Sequence, residues 1–417
     1  MRYLTAFLLV MGLQQANLYS YSVLTHEAII DSAWKESIQP LMLQRFPRAT
    51  VEQLKTARAY AYGGSIIQDM GYYPFGSHFF TDLTHYVRSG DFVTAMLRDS
   101  RTLDEYAFAL GALAHYAADT EGHAIAVNRV VPMLYPKLKR KYGDEVTYAD
   151  DPASHLKTEF GFDVLQVAKG RYVADAYHDF IGFEVSKPLL ERSFQHTYGL
   201  ELKDVFGTLD VAIGTYRKTV SDLIPKMTQV AWETKRDEIE KSQAGITRDK
   251  FLYNLSRSDY EKSWGMEYQR PGIGSRLFAF VARILPKVGP LRSLSFRTPT
   301  PEMEKLFMAS FNATRDRYTS LLKAEKNRQA HPADVNLDVG KPTSAGTYRI
   351  ADETYAKILD ELAKENFSRM PRELRNDILN FYRTEPDPAF AKADEKRLAK
   401  LHHRLEMLRA TAAYSRP

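Results

Sequence analysis

Leu113-Ala114-His115-Tyr116-Ala117-Ala118-Asp119-Thr120-Glu121-Gly122-His123 sets His115, Asp119 and His123 at four-residue intervals. On an α-helix that spacing stacks side chains along one face. The surrounding residues extend the same pattern into one long helix from about Leu103 to Asn128, with Tyr106, Leu110, Leu113 and Ala117 on a common face. Its alanines and Gly111 suit close packing, because small side chains let neighbouring backbones approach. Outward from this stretch the helical pattern continues. Ala28, Ile29 and Ile38-Leu41-Leu43 recur at helix-like spacing, and Thr50 before Val51-Glu52-Gln53-Leu54 reads as a cap opening another helix. Further helices are expected near Pro152 to Ala168, Tyr172 to Tyr198 and Val205 to Glu240. Period-two alternation is scarce, so the expected fold class is all-α.

The same stretch carries candidate chemistry. Six of the eleven histidines lie between His26 and His155, and His155 with Glu159 repeats the four-residue step. The chain has no cysteine, which excludes disulfides, thiolate metal sites and cysteine nucleophiles. Any bound metal must take nitrogen and oxygen ligands, and imidazole with carboxylate is the set expected for zinc in a helix bundle. Spacing alone leaves two readings open, since i,i+4 pairs also occur as plain helix-surface contacts. No Gly-x-Ser-x-Gly nucleophile elbow supports a serine hydrolase.

At 417 residues the chain has room for a substantial core and more than one domain. Its 44% hydrophobic and 26% charged residues exclude a wholly disordered or multi-spanning chain. The net charge of +5 favours anionic surfaces, phospholipid headgroups or nucleic acid among them, and equally serves solubility. Met1-Arg2, the apolar run Tyr3 to Leu13 and small residues at Ala16 and Ser20 describe a secretory signal peptide, too short to span a bilayer comfortably. The expected location is therefore secreted or periplasmic. Two Pro/Gly-rich stretches, Gln269 to Thr300 and Asn327 to Gly346, read as boundaries. The expected organisation is a signal peptide at 1–20, a helical domain at 21–268, a basic apolar connector at 269–300 and an additional helical C-terminal region at 301–417.

Four segments occur in the order found in the zinc-dependent phospholipase C family: Thr25-His26-Glu27-Ala28-Ile29, Gly64-Ser65-Ile66-Ile67-Gln68-Asp69, Leu110 to Asp119, and His155-x-x-x-Glu159. The chain resembles that family over roughly Tyr21 to Glu159, and more loosely to about residue 225. The resemblance implies a multi-helix bundle shared with single-strand nucleases, and a cofactor of three zinc ions. Asp69, His85, His115 and Asp119 would hold one ion, and His123, His155 and Glu159 a second. His26 and a bridging Asp119 would hold the third, with the amine and carbonyl of a mature N-terminal residue. That position is Tyr21, where the family usually has tryptophan, and cleavage after Ser20 would free its amine. The short Asp119 to His123 spacing resembles the glycosylphosphatidylinositol-specific phospholipase D branch. His78 competes with His85 for one ligand position, and the distance from Asp69 favours His85.

The implied activity is phosphodiester hydrolysis by a metal-activated water, with Asp69 as general base and phospholipid as substrate. A single-strand nuclease on the same metal site is the alternative, as is a non-catalytic metal- or lipid-binding protein. Tyr72, Tyr73 and Phe75 follow Asp69 closely and read either as a substrate-binding wall or as core. The segment 272–297 combines Arg276, Arg283, Lys287, Arg292 and Arg297 with apolar residues and no acid, a pattern for peripheral membrane contact or for an ordinary core-facing helix. No protein partner is expected. The last stretch, Ala391 to Pro417, with His402-His403, reads as a solvated helix without chemistry.

Overall fold

The computed structural model describes residues 23–168, 183–220, 296–383, 388 and 394–411. Among these the chain is helical, and pairing of the β type is limited to an isolated bridge between Asn336 and Lys341. The all-α fold expected from the sequence is the fold observed. No described helix is long and apolar enough to cross a membrane. The signal peptide, Tyr21 and most of 272–297 lie outside the described residues.

Helix α1 (Val23–Ala33) runs through a widened turn, Trp34–Ile38, into α2 (Gln39–Arg45). Helix α3 (Val51–Gly64) opens on the expected cap: Thr50 Oγ1 accepts from the Gln53 amide, and Gln53 Oε1 accepts from the Thr50 amide. A short tight helical stretch, Ile67–Tyr72, leads to α4 (His78–Tyr86), α5 (Ser89–Asp99) and the central α6 (Leu103–Gly122), capped by Thr102. The helix expected from Leu103 to Asn128 then widens at His123–Val127 and continues as α7 (Asn128–Leu134). Helices α8 (Pro136–Tyr142) and α9 (Pro152–Ala168) follow, the latter with the expected limits.

The core forms where α6 meets α3. A Cβ on Gly111 would lie 2.1 Å from the Ala61 carbonyl oxygen, and one on Gly64 would lie 2.0 Å from that of Phe108. The two backbones meet where neither helix carries a side chain, so only glycine fits. Phe108, Leu110, Leu113 and Tyr116 of α6 are buried around this contact.

Two expected helices begin later than their sequence pattern, and residues 221–240 of the second lie outside the described residues. The one expected over Tyr172 to Tyr198 is α10 (Lys187–Tyr198) in its described part. Residues 183–186 precede it without helix, the Glu184 amide donating instead to the Ala59 carbonyl, and Pro188 then sets the first turn. The one expected from Val205 is split: a single turn α11 (Leu202–Val205) ends at extended Phe206, and α12 (Leu209–Lys218) starts afresh.

The C-terminal region is built onto the same core. Helix α13 (Pro301–Glu325) lies along α6: Tyr318 donates its hydroxyl to the Leu110 carbonyl, Tyr106 donates to Glu325, and Arg317 pairs with Glu121 over the Tyr116 ring. Helices α14 (Arg349–Ala363), α15 (Arg372–Phe381) and α16 (Glu395–Ala410) complete the described chain. The Pro/Gly stretch 327–346, read as a boundary, is instead a packed strap. Ser89 Oγ bonds Val335 through both its amide and its carbonyl, the Tyr116 hydroxyl donates to Ala333, and the Leu337 amide donates to the carbonyl of His85. Its prolines and glycines shape turns against other helices, and composition cannot distinguish that from a linker.

Candidate metal centre

Helix α1 supplies His26, the stretch Ile67–Tyr72 supplies Asp69, α4 supplies His85, and α6 supplies His115 and Asp119. His123 opens the widened turn after α6, and α9 contributes His155 and Glu159. All eight side chains are buried to within a few per cent of full enclosure. They converge into two groups. Asp69, His85, His115 and Asp119 form one, and His123, His155 and Glu159 the other, each offering one ligand atom within 4.8 Å of every other in its group. The wide turn matters here, since such turns re-aim side chains at functional positions.

Asp119 belongs to the first group and also faces His26. Its Oδ2 is 3.2 Å from His85 Nε2 and 3.1 Å from His115 Nε2, while its Oδ1 faces His26 Nε2 at 3.5 Å. Asp69 Oδ1 is 3.3 Å from His85 Nε2. In the second group Glu159 Oε1 is 2.7 Å from His155 Nδ1 and 3.7 Å from His123 Nε2. His85 is the histidine brought to Asp69. His78 begins α4, its ring in a T-shaped contact with Tyr72.

Backbone and amide acceptors aim three of the rings. The Nδ1–H of His85 donates to the Thr81 carbonyl at 2.8 Å, and that of His115 to the Ser65 carbonyl at 3.0 Å. Each leaves Nε2 facing the group. His155 is turned the other way round. Its Nε2–H donates to Asn128 Oδ1 at 2.8 Å, which leaves Nδ1 facing Glu159. Asn128 is held in that orientation because its Nδ2 donates to the Asp338 carbonyl. Asp69 is fixed through its neighbours: Thr81 Oγ1 donates to the Gln68 carbonyl and accepts from the Gly71 amide.

The electrostatics are those of an acid-rich enclosure. Burial pushes the Glu159 carboxyl well above its usual value, and the charges of Asp119, Asp69 and Asp338 push it further. Burial also drives His26 well below its ordinary value, and lowers His155 to about 3, so both rings are neutral. Burial opposes charge on His85, but Asp119 and Asp69 outweigh it and raise that ring to about 10. Burial likewise opposes ionisation of Asp119, and His115 and His123 outweigh it, holding its carboxyl well below the usual range.

These residues fit divalent zinc. The oxygens of Asp69 and Glu159 are buried, yet receive no well-formed hydrogen bond among the described residues. Buried carboxylates left so are costly unless a cation satisfies them. Neutral imidazole nitrogens and carboxylate oxygens without sulfur are donors zinc accepts.

Residues 25–208 match the family described as zinc dependent phospholipase C. Over this span the chain is similar to that family. Comparison with curated proteins and comparison with solved structures give no match. The matched span contains every residue of the two groups.

The aromatic residues after Asp69 separate. Tyr73 is sealed in the core, edge-on to the Tyr216 ring at 4.8 Å, which corrects its reading as a substrate wall: no face is left for a ligand. Tyr72 is also buried, against His78 and Tyr148. Phe75 is 66% exposed and adopts φ +63°, a strained conformation for an aromatic residue. Asp338, in the strap, was not legible in the sequence: its Oδ1 lies 3.2 Å from His123 Nδ1 and 3.7 Å from His155 Nε2.

Proposed function

We propose that the protein is a secreted zinc-dependent phosphodiesterase that hydrolyses phospholipids. The observation that carries the reading is the pair of buried ligand groups, with Asp119 of the first also facing His26, within the span that matches the phospholipase C family. Asp69, His85, His115 and Asp119 would hold one ion, and His123, His155 and Glu159 a second. His26 and the outer oxygen of Asp119 would hold a third, together with the amine and carbonyl of Tyr21 after cleavage at Ser20. Zinc bound there would acidify a water and neutralise the charge of a phosphodiester.

The chain's own residues do the rest. Asp69 presents a buried carboxylate at the edge of the first group, placed to orient the attacking water and take its proton. His85 and His115, aimed by carbonyls, turn their Nε2 atoms inward, where a cation would compete with the proton that Asp119 and Asp69 favour on His85. No serine or cysteine nucleophile is required. Exposed Phe75, on the loop beyond Asp69, is the one residue of the three aromatics with a face available to a lipid headgroup or acyl chain.

Metal analysis of the mature protein, run beside hydrolysis assays on phosphatidylcholine, phosphatidylinositol and single-stranded DNA, tests the reading. Zinc uptake with release of a phosphorylated headgroup supports it. Cleavage of DNA alone would replace the substrate, and zinc-loaded protein without turnover on any of the three would overturn the activity.

A further inference from the structure

Asp338 lies outside the matched family span, on the strap between α13 and α14, yet it is 1% exposed beside the second ligand group. The strap makes a tight turn there. The Asn336 amide donates to the Lys341 carbonyl, Asn336 Oδ1 accepts from the Asp338 amide, and Gly340 takes φ +68° against Thr120. A Cβ on Gly90 would lie 2.1 Å from the Pro332 carbonyl oxygen, so the strap is seated directly on the α5 backbone.

Two of the three acceptor oxygens of Asp338 are hydrogen-bonded, while the buried Oδ1 receives no well-formed hydrogen bond among the described residues. Oδ2 accepts from the Tyr148 amide at 3.1 Å and from the Tyr348 hydroxyl. Its carbonyl accepts from Asn128 Nδ2 at 2.7 Å, and Asn128 in turn accepts from His155. That leaves Oδ1 facing His123 Nδ1 at 3.2 Å, while Nε2 of the same ring points to Glu159. A carboxylate on the outer nitrogen of a ligating histidine fixes the tautomer and raises the basicity of the inner nitrogen.

We infer that Asp338 is a positioning residue for the second zinc group, holding His123 as the Nδ1–H tautomer and, through Asn128, fixing the ring of His155. The C-terminal region thereby completes a metal site whose ligands all come from the matched span. This rests on the zinc reading above.

The experiment uses the full mature chain in wild-type, Asp338→Ala, Asp338→Asn and Asp334→Asn forms, titrated with zinc against a chromophoric chelator. Asp334→Asn perturbs the same strap, where Asp334 accepts from the Asp91 amide, without facing the histidines. Asp338→Ala is expected to weaken one zinc ion about 10- to 100-fold and spare the others. The isosteric Asp338→Asn preserves the packing but can turn an amide N–H toward His123 Nδ1. It is expected to move the proton to Nε2, visible in the imidazole ¹⁵N shifts of the metal-free chain, and to weaken the same ion. Asp334→Asn is expected to bind zinc as wild type does. Unchanged zinc affinity and an unchanged His123 tautomer in both Asp338 variants would overturn the inference alone, as would equal zinc loss in Asp334→Asn. A wild-type chain that takes up no zinc would overturn the metal reading, and this inference with it.

Discussion

At the scale of single residues, ligand chemistry is legible where one element repeats it and invisible where the chain returns from a distance. His115, Asp119 and His123 could be read together because four-residue spacing and ligand type coincide on one helix, and His155 with Glu159 repeats the signal. The resemblance to a known family was needed for His26, Asp69 and His85, which come from three other segments. Asp338 had no such signal: it is a lone aspartate in a Pro/Gly-rich stretch, and only the folded strap carries it to His123. Tyr73 shows the reverse failure, since an aromatic close to a candidate ligand carboxylate looks the same in sequence whether it lines a cleft or packs on Tyr216. Asp69 is where a single substitution separates chemistry from binding. Asp69→Asn keeps an oxygen for a cation but loses the basic carboxylate, so turnover should fall by about 10²- to 10⁴-fold. Zinc content should stay close to wild type, and the two are checked together by a phospholipid hydrolysis assay and metal analysis. Activity within a few-fold of wild type would remove Asp69 from the role of base.

At the scale of elements, the sequence predicted helices well where capping and small-residue packing agree. Thr50 and Gln53 form the expected reciprocal cap, and Pro152–Ala168 has the expected limits. It overran where an apolar pattern continues through residues that the fold uses otherwise, as at 183–186, which reach back to Ala59. The decisive contact is that of α3 with α6, because α3 leads straight into Ser65 and the stretch with Asp69, while α6 carries His115 and Asp119. A methyl at Gly111 would meet the backbone carbonyl of Ala61, and backbone cannot rotate away as a side chain does. Gly111→Ala gains the higher helix propensity of alanine, about 1 kcal/mol. Forcing two packed helices apart costs more, about 1–3 kcal/mol or beyond. The net expectation is a lower melting temperature, together with weaker zinc binding as Ser65 withdraws from His115 Nδ1. A variant that melts higher and binds zinc normally would show that the helices part without cost.

At the scale of the whole molecule, the chain does not divide at the stretch whose composition suggested it. The strap and α13 are bonded into α5 and α6, and α15 adds a further junction through Asp377. Burial raises the Asp377 carboxyl to about 6; the Tyr355 hydroxyl, donating at 2.8 Å, and Arg88 oppose the rise, while Asp91 adds to it. Unfolded, the same group titrates near 3.9. Between these values the folded chain binds the extra proton, so its stability falls as pH climbs from about 4 to about 6, and the loss is complete above that window. Asn cannot ionise, yet its oxygen still accepts from Tyr355. Asp377→Asn should therefore match wild type near pH 4 and exceed it at pH 8. The two-unit shift corresponds to roughly 3 kcal/mol at most. Partial solvent access to this side chain reduces that to about 1 kcal/mol, or about 2 °C in a chain of this size. Thermal melts at both pH values, with zinc held at the same saturation, read the difference directly. A variant less stable than wild type at pH 8 would mean that the ionised carboxylate stabilises this junction through Arg88, and that the C-terminal helices are held to α5 by charge and not by the burial of a proton.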